Sequence, residues 1–306
     1  MSATQPYRGV FTIPSTPFHP TGEVDEDGLR RIVEFCIECG AHGLVYPVNA
    51  SEFIALTDAE RMFLTEIVVR QNDGRVPVIV GVQGVTREAA AEFATHAREI
   101  GADGVIAMPP YLRRGALSED VITDYYGAIA EAAGMTVFIQ NNMPPIGWDL
   151  SAELMLRLCR DIEHVEYIKE ETVPTTVKLS AIVDGDADGV CLGVFGGGGG
   201  RYLIEEHRRG VAGQMPGCHV TDVVVALWDA LESGDGERAT RIYKEMAPLF
   251  FFEHQLPGCY KEVLYRRGVI DSPTKRNGAM PLDDIASAYL DEILAALEPL
   301  MTWSRT

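Results

Sequence analysis

Lys169 and Glu171 are the residues whose types and spacing most directly suggest chemistry. They close the stretch Val165-Glu166-Tyr167-Ile168-Lys169-Glu170-Glu171-Thr172, an apolar run with β-branched and aromatic members that reads as a buried strand. An amine at the C-terminal end of such a strand has no aliphatic reason to be there. Burial disfavours its charged form, and an amine left neutral can attack a ketone to form a Schiff base. Side chains alternate along a strand, so Lys169 and Glu171 face one way and Glu170 the other. A carboxylate two residues from the amine can carry protons to and from carbon or a leaving hydroxyl. Two structural readings fit the same residues: a lysine whose head reaches water or pairs with Glu170 or Glu171, and a Glu171 that serves only as an ion pair at the strand end.

The elements that must position this pair recur along the chain. Strands are expected at 9–14, 43–48, 76–80, 104–107, 136–140, 165–169, 189–193 and 211–214. Helical periodicity separates them at 26–39, 58–72, 86–99, 118–133, 151–160, 174–183, 199–209 and 220–232. Several helices stop at glycine and the next strand starts within a few residues, as in Ile100-Gly101-Ala102-Asp103-Gly104, the rhythm of right-handed strand–helix units. Eight such units over about 230 residues imply a (β/α)8 barrel, here assigned to residues 1–232. A doubly wound open sheet would normally carry a nucleotide-binding first turn, and the sequence has none. Residues 233–306 show helical patterns only, at 236–252, 257–268 and 283–301, and are expected to form a C-terminal helical region. Phe250-Phe251-Phe252 is expected to be core there.

In a (β/α)8 barrel the chemistry sits at the C-terminal ends of the strands. The sequence puts Thr12, Ser15 and Thr16 after strand 1, Asn49 and Ser51 after strand 2, Gln83 after strand 3 and Tyr111 after strand 4. Gln140 follows on strand 5, and Lys169, Glu171 and Thr172 on strand 6. Five glycines, Gly196 to Gly200, come after strand 7. Glycine lets a backbone approach a ligand, and a helix start offers free amides, so Gly197 and Gly198 are candidates to hold a substrate carboxylate. The run has neither P-loop nor dinucleotide spacing. The loops at 111–116, 141–147 and 196–201 are expected to set which substrate fits.

The net charge of −19 argues against nucleic acid or an anionic membrane as partner, while leaving small anions open. Six cysteines are scattered, with Cys36 and Cys39 one helical turn apart. No second pair or suitably spaced histidine completes a metal motif, so they read as core thiols. No metal and no cofactor are expected. The N-terminus lacks a basic segment leading into an apolar run, and no stretch reaches membrane-spanning length. A cytoplasmic protein with reduced thiols is the expectation.

Tyr7-Arg8-Gly9-Val10 with Thr16-Pro17-Phe18, the Asn49-Ala50-Ser51-Glu52 turn before Leu56-Thr57-Asp58-Ala59-Glu60-Arg61, Met108-Pro109-Pro110-Tyr111 and Tyr167-Ile168-Lys169-Glu170 resemble the dihydrodipicolinate synthase / N-acetylneuraminate lyase superfamily of class I aldolases. The resemblance spans nearly the whole chain. It implies a (β/α)8 barrel with a C-terminal helical region, a small 2-keto acid as substrate, a homotetramer, and Lys169 as the Schiff-base lysine.

This chain also departs from that pattern. The synthases and lyases carry a Gly-Thr-Thr-Gly-Glu-type turn after strand 2, where Val48-Asn49-Ala50-Ser51-Glu52 stands here. Their strand 5 ends in a tyrosine that acts as acid and base at the substrate oxygen, and that position is Gln140. A second tyrosine that usually follows the one at Tyr111 is Leu112. Retro-aldol cleavage of a 2-keto-3-deoxy sugar acid needs a base at the C4 hydroxyl, which glutamine cannot supply. Dehydration needs a base at C3 and an acid at the C4 hydroxyl, which Glu171 can supply. The pattern resembles the L-2-keto-3-deoxyarabonate dehydratase branch, which makes 2,5-dioxopentanoate. Lys169 and Glu171 would then be catalytic, with Asn49, Ser51, Gln83, Tyr111, Gln140 and Thr172 binding substrate. A pyruvate-releasing aldolase, a synthase-like condensation and a non-catalytic sugar-acid sensor are the alternatives.

Overall fold

The computed structural model describes residues 7–111, 117–144, 147–256, 259–278 and 282–303. Leu112 and parts of the loops at 111–116 and 141–147 lie outside the described residues. The strands are β1 (Gly9–Thr12), β2 (Gly43–Tyr46), β3 (Val78–Gly81), β4 (Gly104–Ala107), β5 (Val137–Asn141), β6 (Val165–Glu170), β7 (Gly193–Gly196) and β8 (Gly213–Gln214). They follow chain order around a closed barrel, which makes the chain a (β/α)8 barrel. The helices are α1 (Glu26–Glu38), α2 (Asp58–Asn72), α3 (Arg87–Glu99), α4 (Glu119–Ala133), α5 (Ala152–Asp161), α6 (Thr175–Gly185), α7 (Leu203–Arg208), α8 (Thr221–Glu232), α9 (Gly236–Gln255), α10 (Tyr260–Arg266) and α11 (Asp284–Leu297).

Local chemistry sets the helix starts. The side chains of Asp25, Thr57, Thr86, Ser118 and Ser151 each accept a first-turn amide of the helix that follows, and Thr57 with Glu60 completes a reciprocal capping box.

The chain packs as two compact units. One comprises Met1–Gly9, Val45–Val48 and Pro77–Met215, and holds β3 to β8 with α3 to α7. The other comprises Val10–Leu44, Asn49–Val76 and Pro216–Thr306, and holds α1, α2 and α8 to α11. In the first unit an aromatic layer packs the sheet: the rings of Phe138 and Tyr167 stack with centroids 4.6 Å apart, and Phe195 meets both edge-on. The layer above it is the row Gln140, Lys169, Phe195, paired side by side on β5, β6 and β7. One residue further along each strand, and so on the opposite face, runs Asn141, Glu170, Gly196, Gln214 across β5 to β8.

Three expectations need correction. Strand 7 spans Gly193–Gly196, not 189–193, because Gly189 has φ +65° and the Asp186 carboxylate accepts the amides of Val190 and Cys191, which makes that stretch a turn. The glycine run does not open a helix. Gly198, Gly199 and Gly200 have φ of +61°, +72° and +90°, incompatible with a right-handed helix, so α7 waits until Leu203. Among the three phenylalanines, Phe250 and Phe252 are buried but Phe251 is 72% exposed, since three consecutive helical residues cannot share one face.

Candidate active site

β6 ends with the two residues the sequence singled out. The Lys169 side chain is 2% exposed, and its Nζ lies 3.1 Å from Oε1 of Glu171. Glu171 is the first residue past β6, where its amide donates to the carbonyl of Asn141 (2.9 Å) and keeps it in register. Its other oxygen, Oε2, accepts the side-chain amides of Gln140 (2.6 Å) and Asn142 (3.2 Å). The two oxygens therefore have separate duties. Oε2 is held by two amide donors and fixes the carboxylate, leaving Oε1 at the amine. Gly197 forms the wall: a Cβ there would lie 2.2 Å from Glu171 Cγ.

Glu170 points the other way and is fully buried. It accepts Asn141 Nδ2 (2.8 Å) and both the amide (2.6 Å) and the hydroxyl of Thr172. Asn141 in turn bridges to Leu150, accepting its amide (2.8 Å). Burial raises the Glu170 carboxyl to about 7 against those donors. This bracket locks the end of β6, and with it the angle at which Lys169 and Glu171 leave the strand.

The other expected site residues divide. Gln83 is buried after β3 and donates to the carbonyl of Pro109 (3.0 Å), two residues before Tyr111, which is partly exposed. Thr172 is buried and gives its hydroxyl to Glu170. Gly197 touches Glu171 and its carbonyl accepts Gln214 Nε2 (2.7 Å), while Gly198 begins the short turn Gly198–Gly200. The helix start expected at the glycine run is displaced, because Arg201 and Tyr202 intervene between Gly200 and α7. Asn49 and Ser51 bound a short turn in the second unit. There the Ser51 carbonyl accepts the Thr16 hydroxyl (2.6 Å), and the fully buried Ser51 Oγ has no hydrogen-bond partner among the described residues.

Sequence reasoning missed Asn142, Gln214 and Glu206. Asn142 adjoins Gln140 and Asn141 in a row of amides, a signal that was available. Gln214 and Glu206 become visible only once β8 and α7 are placed.

The profile of the dihydrodipicolinate synthetase family matches residues 6–297. The chain belongs to this family. It is thereby a member of the aldolase and lyase superfamily built on this barrel. It is 32% identical over 305 residues to an L-2-keto-3-deoxyarabonate dehydratase of Azospirillum brasilense, covering 98% of this chain and 97% of that one. Over 178 residues, 58% of each chain, it is 35% identical to a probable 2-dehydro-3-deoxy-D-pentonate aldolase of Escherichia coli. A crystal structure of a putative dihydrodipicolinate synthetase from Pseudomonas aeruginosa superposes with a TM-score of 0.87 at 25% identity, covering 95% of this chain and 99% of that one. Within this family frame, the amide of Gln140 lies beside Lys169 on the neighbouring strand and is bonded to Glu171. Among the described residues no three histidine, cysteine or acidic side chains cluster as metal ligands. No helix among them is long and apolar enough to cross a membrane. Cys36 and Cys39 are buried free thiols.

Proposed function

We propose that this chain is a Schiff-base hydro-lyase that converts 2-keto-3-deoxy-L-arabonate to 2,5-dioxopentanoate. The observation that carries the proposal is the Lys169–Glu171 pair at 3.1 Å, with the amides of Gln140 and Asn142 on the other carboxylate oxygen. Lys169 passes a proton to Glu171 and attacks C2 of the keto acid; Glu171 returns that proton to the departing C2 hydroxyl, which leaves as water, and an iminium and a free carboxylate remain. Glu171 then takes a proton from C3 to give the enamine. The same carboxyl returns that proton to the C4 hydroxyl, which leaves as water and places a double bond between C3 and C4. A proton then moves from C5 to C3, which leaves an enol between C4 and C5; its hydroxyl proton passes to C4 as C5 becomes an aldehyde, and hydrolysis of the imine frees Lys169. The sum is substrate minus one water.

Retro-aldol cleavage would need a base at the C4 hydroxyl. The Gln140 side chain cannot take a proton, and its amide is already committed to Glu171. The choice of a five-carbon L-acid is supported by the name of the Azospirillum relative, an L-2-keto-3-deoxyarabonate dehydratase that matches along nearly the whole chain. Gln83, Tyr111, Gly197 and Gly198 are proposed as substrate-facing groups. A second reading, pyruvate-releasing cleavage, is favoured by the name of the Escherichia coli relative, which matches over little more than half the chain.

The test is to incubate the protein with 2-keto-3-deoxy-L-arabonate, reduce with borohydride, and map the adduct by mass. A five-carbon adduct lacking one further water on Lys169 is expected. A three-carbon pyruvyl adduct on Lys169 transfers the assignment to the aldolase, and no adduct at Lys169 removes the Schiff-base reading.

A further inference from the structure

Behind the glycine run, on the face opposite Lys169, sits a carboxyl that the chemistry above does not use. Glu206 on α7 is fully buried, and among the described residues neither of its oxygens has a hydrogen-bond partner. Oε1 of Gln214 is likewise buried and unpartnered. A Cβ built on Gly196 would fall 2.1 Å from Glu206 Oε2 and 2.2 Å from Gln214 Oε1, so these two oxygens lie at most about 4.3 Å apart, the sum of the two distances. Only glycine at position 196 leaves room for them to meet.

The direction of the Gln214 amide settles what stands between them. Its Nε2 donates to the carbonyl of Gly197 (2.7 Å), a group that can only accept. An amide has donors on one side and an acceptor on the other, so Oε1 must face Glu206. Two acceptor oxygens cannot bind each other, and turning the amide over would only move the conflict to Gly197. One proton on Glu206 resolves both ends. Burial is the main cause that raises this carboxyl, to about 8, and the nearby carboxylates of Glu171 and Glu170 push in the same sense. The Thr175 hydroxyl on α6 and Arg209 on α7 act oppositely.

We propose that Glu206 is a positioning residue: its neutral carboxyl donates to Oε1 of Gln214, which fixes that amide on the Gly197 carbonyl and holds Gly197 against Glu171. The chain of contacts runs Glu206, Gln214, Gly197, Glu171, all within one compact unit. It rests on the reading of Glu171 as the proton carrier at Lys169.

Two measurements test it. Infrared difference spectra at neutral pH, wild type minus Glu206→Gln, should show the stretching band of a protonated carboxyl. The absence of that band overturns the proposal. The second follows solvent deuterium entering the methyl group of pyruvate, which requires an imine at Lys169 and a base at C3. Glu206→Ala should trap as much borohydride-reduced pyruvyl imine as wild type yet exchange deuterium about tenfold to a hundredfold more slowly, as expected when a reacting group is misplaced by a fraction of an ångström. Glu206→Gln, which keeps a donor toward Gln214, should restore the exchange rate. A Glu206→Ala variant that exchanges at the wild-type rate overturns the positioning role. A wild-type protein that forms no imine removes instead the Schiff-base reading, and the infrared band still decides the state of Glu206.

Discussion

Gly197 and Glu171 share a volume that holds only one side chain: a Cβ on Gly197 would lie 2.2 Å from Cγ and 2.5 Å from Oε1 of Glu171. Gly197 has φ −130°, outside the left-handed range that favours glycine, and the close approach is that of its neighbour Glu171. Gly197→Ala should therefore fold, push the carboxylate off the Lys169 amine, and lower turnover about a hundredfold. Borohydride trapping of the imine, compared with steady-state rate, checks this. Turnover within twofold of wild type would show that Glu171 has other room to work.

Gln140 is 1% exposed and gives its amide to Glu171 at 2.6 Å. A hydrogen bond to a charged group contributes about 1.5–3 kcal/mol. Gln140→Leu roughly keeps the volume and removes the donor, leaving Oε2 the longer bond from Asn142 (3.2 Å). The expected result is a roughly tenfold to hundredfold fall in kcat with little change in the amount of trapped imine. Equal losses in imine formation and in turnover would instead assign Gln140 to substrate binding.

The barrel and its central pair were legible in the sequence because both rest on local signals. Alternating strands and helices stop at glycines, and Lys169 and Glu171 share a face by the two-residue period of a strand. Strand 7 was misplaced because Val190, Cys191 and Leu192 are as apolar as Val194 and Phe195; what decides is the Asp186 carboxylate taking two amides of the stretch. That Thr172 gives its hydroxyl to Glu170 was not legible, because Glu170 faces away from the amine and only Asn141 on the next strand reveals that bracket. Glu206 could not be found at all from sequence. In a six-residue helix carrying Glu205 and Glu206 side by side, nothing but the packing tells which of the two is buried.

Glu206 also gives stability a pH signature. Its folded value of about 8 lies above the ordinary carboxyl value of about 4.3. Across that interval the folded chain keeps a proton that the unfolded chain has released, so the contribution is whole below about pH 4.3 and is lost as pH rises through 8. Glu170, raised to about 7, acts in the same sense over a narrower window. Glu206→Gln cannot ionise and removes only its own share. The melting temperature of wild type relative to this variant should fall between pH 5 and pH 8.5, measured in matched buffers. Parallel curves would mean that Glu206 carries a charge in the fold.

Lys261 is the second deeply buried lysine, 1% exposed, and it separates burial from catalysis. Its Nζ lies 2.8 Å from Glu52 Oε1, donates to the carbonyl of Thr274 (3.0 Å), and sits 4.1 Å from the centre of the Phe18 ring. Burial lowers this ammonium to about 8, yet the amine is tied on these sides, and Glu52 is held in a left-handed conformation (φ +59°) facing it. Removing one partner of a buried ion pair costs about 3–5 kcal/mol, and the 22% exposure of Glu52 lets water offset part of that. Lys261→Met should lose about 2–3 kcal/mol in urea unfolding, while borohydride with a 2-keto acid still labels Lys169 to the wild-type extent. Label appearing on Lys261 in the wild type, or lost from Lys169 in the variant, would move the reactive amine from β6 to α10.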